Sequence, residues 1–275
     1  MLRNFLILLG FFGFCTPVFS QSSLYSISMK KAGSFYFLEA SLKFRDKVVE
    51  AYFLFDTGSE GMVLSKEAAD KLGYSGEGFF SVEISSKKTN GINAIVDDGP
   101  ALSEYAALGS AFFGGKVFGG RLGLYPVFRN NYIIVDFKKS NIEVFSTGSN
   151  KEGSAMSNQI MVESKMAGNL FYLDASFKGK PGNFFTVSSS LTGSSLLSSA
   201  GAKKIKAKKN TPVNLSMGSE NIAVLFKPAP NEFLFNVKEA KTMGFKISGV
   251  LSLDVMEKYQ WHFDCMNRKV GIKSN

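Results

Sequence analysis

The sequence predicts an all-β chain of two similar lobes joined by a polar segment, with only short helices between strands. Three observations carry that prediction: apolar residues alternating with period two, an internal repeat at near-constant spacing, and a Gly- and Ser-rich stretch between the copies. At 275 residues, 45% apolar and 13% aromatic, the chain has enough apolar material for two cores, and its composition is unlike that of disordered, collagen-like or coiled-coil chains.

Residues 1–20 read as a signal peptide. Arg3 supplies the positive start, residues 5–14 the apolar run, and Val18-Phe19-Ser20 a cleavage site before Gln21. The apolar run is short for a bilayer, and no second stretch approaches the needed length, so no membrane span is expected after cleavage. A secreted or periplasmic protein is expected. Cleavage removes Cys15 and leaves Cys265 alone, which excludes an intrachain disulfide; its alternate spacing with Tyr259, Trp261 and Phe263 reads as a buried strand residue, the alternative being an intermolecular disulfide.

Alternating patterns then place strands at 36–43, 48–55, 79–84, 92–96, 133–137, 171–177 and 261–265. Helical spacing is brief, at 66–72, 103–108 and 237–243. The repeat has three parts. Phe35-Tyr-Phe-Leu-Glu-Ala-Ser-Leu-Lys43 returns as Leu170-Phe-Tyr-Leu-Asp-Ala-Ser-Phe-Lys178, and Asp56-Thr57-Gly58-Ser59 returns at the same offset as Leu191-Thr192-Gly193-Ser194. Gly123-Leu124, Val135-Asp136-Phe137 and Ile142 return as Ser252-Leu253, Phe263-Asp264-Cys265 and Val270. The polar stretch 146–157 separates the copies, giving lobes at 21–150 and 158–275.

Composition narrows the chemistry. The single histidine, His262, excludes zinc sites built on several His or Cys ligands, and neither a metal nor a cofactor is expected. No Gly-x-Ser-x-Gly elbow is present to support a Ser-His-Asp triad on His262. The glycines between Gly109 and Gly123 do not form a phosphate loop, because Val117 follows Gly115-Lys116 where Ser or Thr is needed. The formal charge of +9 includes a cluster at Lys203, Lys204, Lys206, Lys208 and Lys209. The cluster has no interleaved aromatics and no arginine, so it reads as a solvated loop and nucleic acid is not an expected partner.

Phe53-Leu-Phe-Asp56-Thr57-Gly58-Ser59, followed by Val63-Leu64-Ser65, resembles the active-site loop of aspartic peptidases of the pepsin and retropepsin group, and Leu122-Gly123-Leu124 resembles the segment beneath that loop. The resemblance implies a two-lobed acid-protease fold and hydrolysis of a peptide or protein substrate. It also implies that Asp56 is the catalytic acid and that Thr57 hydrogen-bonds across to the opposite loop. In that family two aspartates share one proton, the ionised one activating water. Here the preferred register puts Leu191 in the second position, with Thr192, Gly193 and Ser194 keeping the turn; a shifted register puts Ser189 there. Neither is acidic. A second acid would have to come from a homodimer partner or from elsewhere in the fold. The alternative is a silent relative that holds an extended peptide or a partner protein in the interlobe cleft. A third reading is a structural β-domain in which Asp56 is only a turn residue. A hairpin is expected around Asn90-Gly91; it reads either as the family's flap, with Phe79 or Phe80 in the place of its tyrosine, or as an ordinary surface hairpin.

Overall fold

The computed structural model describes residues 23–146, 159–206, 208, 211–230 and 237–275. The expected signal peptide, and the polar stretch beyond Ser146, lie outside the described residues.

Each half builds one eight-stranded sheet, and the two sheets have the same order. The first half supplies β2 (Lys30–Ala32), β3 (Phe35–Phe44), β4 (Lys47–Phe55), β5 (Met62–Ser65), β6 (Phe80–Ile84), β7 (Lys87–Ile92), β8 (Ala94–Asp97) and β9 (Val117–Leu122). They run β7-β6-β3-β4-β9-β5-β8, with β2 added to β3. The second half supplies β13 (Ser164–Ala167), β14 (Leu170–Phe177), β15 (Lys180–Val187), β16 (Ser195–Leu197), β17 (Val213–Met217), β18 (Glu220–Val224), β19 (Phe226–Pro228) and β20 (Ile247–Leu251). They run β18-β17-β14-β15-β20-β16-β19, with β13 added to β14.

A third sheet is made by both halves. β1 (Tyr25–Ser28), β10 (Asn131–Asp136) and β11 (Asn141–Ser146) join β12 (Ile160–Val162), β21 (Tyr259–Asp264) and β22 (Lys269–Ser274) in the order β1-β11-β10-β21-β22-β12. β10 and β21 meet antiparallel with Ile134 opposite His262, so the approximate two-fold passes between those residues. Asp136 and Asp264 end their strands alike, accepting from the amides of Lys139 and Asn267.

The helices are short, as expected: α1 (Lys66–Leu72), α2 (Pro100–Ser110), α3 (Leu124–Phe128), α4 (Ser199–Ile205), α5 (Val237–Thr242) and α6 (Leu253–Met256). α1 and α4 begin identically, with Ser65 and Ser198 accepting from the amides of Ala68 and Gly201. One apolar cluster runs through both halves and under the shared sheet, including Phe53, Phe55, Phe137, Phe185, Trp261 and Phe263. A smaller cluster packs α2 against the other face of the first sheet through Tyr52, Leu54, Leu102 and Phe118.

The expected flap differs from what is found. The hairpin β6–β7 turns at Ser85-Ser86, whose φ values of 49° and 62° lie in the left-handed region, the conformation whose turn matches the right-handed twist of paired strands. Asn90-Gly91 lies inside β7, close to the register shift between β6 and β7. Phe80 is buried against Tyr74 in the core, whereas Phe79 is exposed. The hairpin forms the outer edge of the sheet and has a full counterpart in β17–β18, so it is a repeated part of the frame. No helix among the described residues is long and apolar enough to cross a membrane.

Candidate functional site

The site lies where β4 and β15 end. β4 runs parallel to β9 and brings Phe55 opposite Leu122; the Asp56 amide then donates to the Leu122 carbonyl at 3.0 Å. β15 runs parallel to β20 and brings Val187 opposite Leu251; the Ser188 amide donates to the Leu251 carbonyl at 3.0 Å. Ser188 is therefore the counterpart of Asp56.

The next residues lock the two loops together. Thr57 Oγ1 donates to the Val187 carbonyl at 3.1 Å and accepts from the Ser189 amide at 3.2 Å. Ser189 Oγ donates to the Phe55 carbonyl at 2.7 Å and accepts from the Thr57 amide at 3.1 Å. The four bonds form two reciprocal pairs around the two-fold. All four groups are buried, so each bond satisfies a polar atom that water does not reach.

Asp56 is 3% exposed. Its Oδ1 accepts from the Gly58 amide at 2.9 Å and from Ser188 Oγ at 3.0 Å, and its Oδ2 accepts from Ser190 Oγ at 2.8 Å. Ser188 and Ser190 hydroxyls are themselves 3.1 Å apart. Gly58 is required at its place because a Cβ there would lie 2.7 Å from the Ser188 Cβ. Ser59 closes the turn, its amide donating to the Asp56 carbonyl and its hydroxyl to the Gly61 carbonyl.

Both registers expected from the sequence miss the counterpart of Asp56. β3 and β4 hold 10 and 9 residues, whereas β14 and β15 hold 8 each, so the second copy reaches its loop three residues sooner. The constant offset that selected Leu191 does not survive that shortening. The shifted register, which selected Ser189, is correct for β16 and α4 but not for the loop itself. Six residues separate β4 from β5 and seven separate β15 from β16, so one residue is inserted in the second loop after Ser189. Leu191 instead offers its carbonyl to the Leu253 amide, and Gly193 donates its amide to Asp254. Thr192 and Ser194 belong to the same outer part of the loop and make none of the bonds to Asp56.

Two further residues stand near Asp56 that motif reading did not single out. Tyr105 of α2 has its phenol pushed up by burial, with Asp56 adding to the shift and Arg121 opposing it. Arg121, on β9 beside Leu122, lines a cavity of about 570 Å³ with residues 58–63 and Asn93, Ala94 and Ile95. No motif announces either residue; only the folded position of α2 and β9 does.

His262 and Cys265 lie apart from this site, on the shared sheet. His262 Nδ1 is 2.5 Å from the Tyr132 hydroxyl, and burial lowers the ring to about 4. Burial pushes the Cys265 thiol up. Among the described residues no group of three or more His, Cys, Asp or Glu is placed to hold a metal ion.

No protein-family model matches the chain, and no curated protein matches it. Solved structures do. An aspartic proteinase from Irpex lacteus aligns at 11% identity and a TM-score of 0.50, covering 91% of this chain and 97% of its own. Conglutin gamma, a basic 7S globulin from lupine seeds, aligns at 9% identity and a TM-score of 0.50, covering 93% of this chain and 96% of its own. One neighbour is described as a proteinase and the other as a globulin, so the likeness speaks to architecture and not to activity: this chain has a two-lobed, mostly β, pepsin-like fold.

Proposed function

We propose that this chain is a secreted pepsin-fold protein that holds an extended peptide in its interlobe cleft without hydrolysing it. Ser188 in the place opposite Asp56 is the observation that carries this reading. Acid hydrolysis by a carboxylate pair needs one ionised group to activate water and one protonated group to donate to the scissile carbonyl. A serine hydroxyl beside Asp56 neither ionises to activate water nor gives up its proton as an acid at acidic pH. Both Asp56 oxygens are occupied, by one amide and two hydroxyls, which makes the carboxylate a tie between the loops. Peptide binding by strand addition needs only backbone edges and pockets. The strand β8 ends the first sheet, and its Ile95 is 72% exposed.

The test is direct. The mature chain, its Asp56→Asn variant and its Ser188→Asp variant are incubated with an unfolded protein from about pH 3 to 7, where a carboxylate pair titrates. The reading expects no cleavage by the native chain and capture of unfolded protein by both the native chain and Asp56→Asn. It expects new cleavage by Ser188→Asp on the acidic side. Cleavage by the native chain that disappears in Asp56→Asn would overturn it.

A further inference from the structure

We propose that Arg121 anchors a carboxylate of the bound peptide, making the cleft selective for acidic ligands; the proposal rests on the peptide-binding reading above. Three observations support it, and the first is the state of the side chain itself. Arg121 is half-buried, its Nε is buried without a hydrogen-bond partner, and among the described residues no ion pair or hydrogen bond reaches its guanidinium. The buried Nε is a donor that the empty protein leaves unsatisfied, and a ligand whose carboxylate accepts from it recovers that loss.

The second observation is the comparison between halves. β9 and β20 correspond, with Gly120 opposite Leu64 in one and Gly249 opposite Leu197 in the other, so Arg121 corresponds to Val250. Val250 is 2% exposed and fills its position with apolar atoms. The fold therefore needs nothing more than a valine there. The charge at 121 is an addition to the frame.

The third is the surroundings. The cavity is bounded by the loop carrying Asp56, by Met62 and Val63 of β5, and by Ala94 and exposed Ile95 on the edge strand β8. An extended peptide lying along that edge would place apolar and acidic side chains at close spacing. The guanidinium fork matches the two oxygens of a carboxylate with parallel N–H donors, a fit a lysine does not provide. Glu60 lines the same cavity, so the acid must be placed on Arg121 and is not drawn in by overall charge.

Either an internal Glu or Asp side chain or a C-terminal carboxylate supplies this chemistry, and the test separates them. Blocked octapeptide pools rich in Val and Ala are made in three forms: one with a central Glu, one with Gln there, and a Gln pool with a free C-terminus. Binding to the mature native chain, Arg121→Val and Arg121→Lys is followed by fluorescence anisotropy. Thermal melting confirms that the variants fold, and Val250 is the precedent for the first of them. The native chain is expected to bind one carboxylate-bearing pool about tenfold more tightly than the blocked Gln pool. That preference should vanish in Arg121→Val and shrink in Arg121→Lys, while binding of the blocked Gln pool stays the same. Whichever pool is preferred identifies the source of the carboxylate. Equal binding of all three pools by the native chain overturns the Arg121 assignment and leaves peptide binding standing. No binding of any pool overturns both.

Discussion

The loop after β4 and the loop after β15 share a frame and differ in content. Each begins with an amide bonded to the strand beside it, at Leu122 and at Leu251. Each then places a hydroxyl residue, Thr57 or Ser189, that reaches into the other loop. The first loop carries an acid at its head and the second a serine. Both copies keep the hydrogen bonds that hold the interface shut, and only one keeps the carboxylate. The comparison teaches that backbone pairing and the cross-loop bonds fix this architecture. The residue at the head of each loop is free to change so long as its polar atoms find partners.

The largest expected effect tests how closely the frames agree. Gly123 and Ser252 have the same backbone angles, φ −80° and ψ 168°. A Cβ on Gly123, however, would lie 2.2 Å from the Ser59 carbonyl oxygen. The second loop is one residue longer and leaves room, so Ser252 instead bonds Gly193 and Ser195. Gly123→Ser should therefore cost more than about 4 kcal/mol, because backbone must move to admit it. Ser252→Gly should cost only about 1–2 kcal/mol, from lost hydrogen bonds. Urea unfolding of both variants measures the asymmetry, and equal costs would show that the loops are spaced alike after all.

The next effect belongs to the two-fold itself, where the first half presents Ile134 and the second presents His262. Burial lowers the His262 ring to about 4 in the folded chain, against about 6.5 in the unfolded chain. Between those pH values the unfolded state binds more protons, so stability rises with pH there and is lost on acidification from about 6.5 to 4. The loss amounts to about 3 kcal/mol and levels off below that window. The stabilisation from Glu39, held below its ordinary value by Lys116 and Lys30, is present through most of that window and is lost only as the pH falls into the carboxylate range. Unfolding midpoints recorded across the window should fall in the native chain and stay nearly flat in His262→Gln. A flat native profile would mean that the ring is already charged when folded.

The contrast between halves also explains what was legible in the sequence. The long strands β3, β4 and β14 could be read because apolar residues dominate them, although residues 51–55 and 170–173 are buried on both faces and do not alternate, and α1 carries both its serine cap and its glycine stop. Asp56, Thr57 and Gly58 could be placed because residue type and spacing together define that turn. The partner of Asp56 could not. Its position depends on three residues lost from β14 and β15 and one gained in the loop, and neither change alters the apolar pattern. Ser188 and Ser190 also carry no motif of their own within a run of serines. The flap was misplaced because Asn90-Gly91 has the chemistry of a hairpin turn, yet Ser85-Ser86 adopts that geometry and Gly91 serves the neighbouring irregular pairing, with φ +72°. Arg121 and Tyr105 come to the site through strand order, which local pattern does not encode.

The smallest effect concerns the part the two halves do share. Thr57 and Ser189 exchange four bonds across the interface, so the loss from each side should be nearly equal. Thr57→Val keeps the shape but strands the Ser189 amide and the Val187 carbonyl; Ser189→Ala strands the Thr57 amide and the Phe55 carbonyl. A buried group left without its partner costs about 1–3 kcal/mol, so each variant should lose about 2–3 kcal/mol. Their coupling is the sharper quantity. The two hydroxyls do not bond each other; each bonds the other loop's backbone, and both sets of bonds require the loops to sit at one spacing. Once one hydroxyl is gone the loops can part slightly and admit water, so the second loss should be smaller than the first. The double variant should then fall short of the sum of the single losses by about 1 kcal/mol, measured by urea unfolding as a double-mutant cycle. Strict additivity would mean that each loop is held by its own neighbouring strand alone. In that case the cross-loop bonds would only satisfy buried polar atoms and would not set the spacing of the two halves.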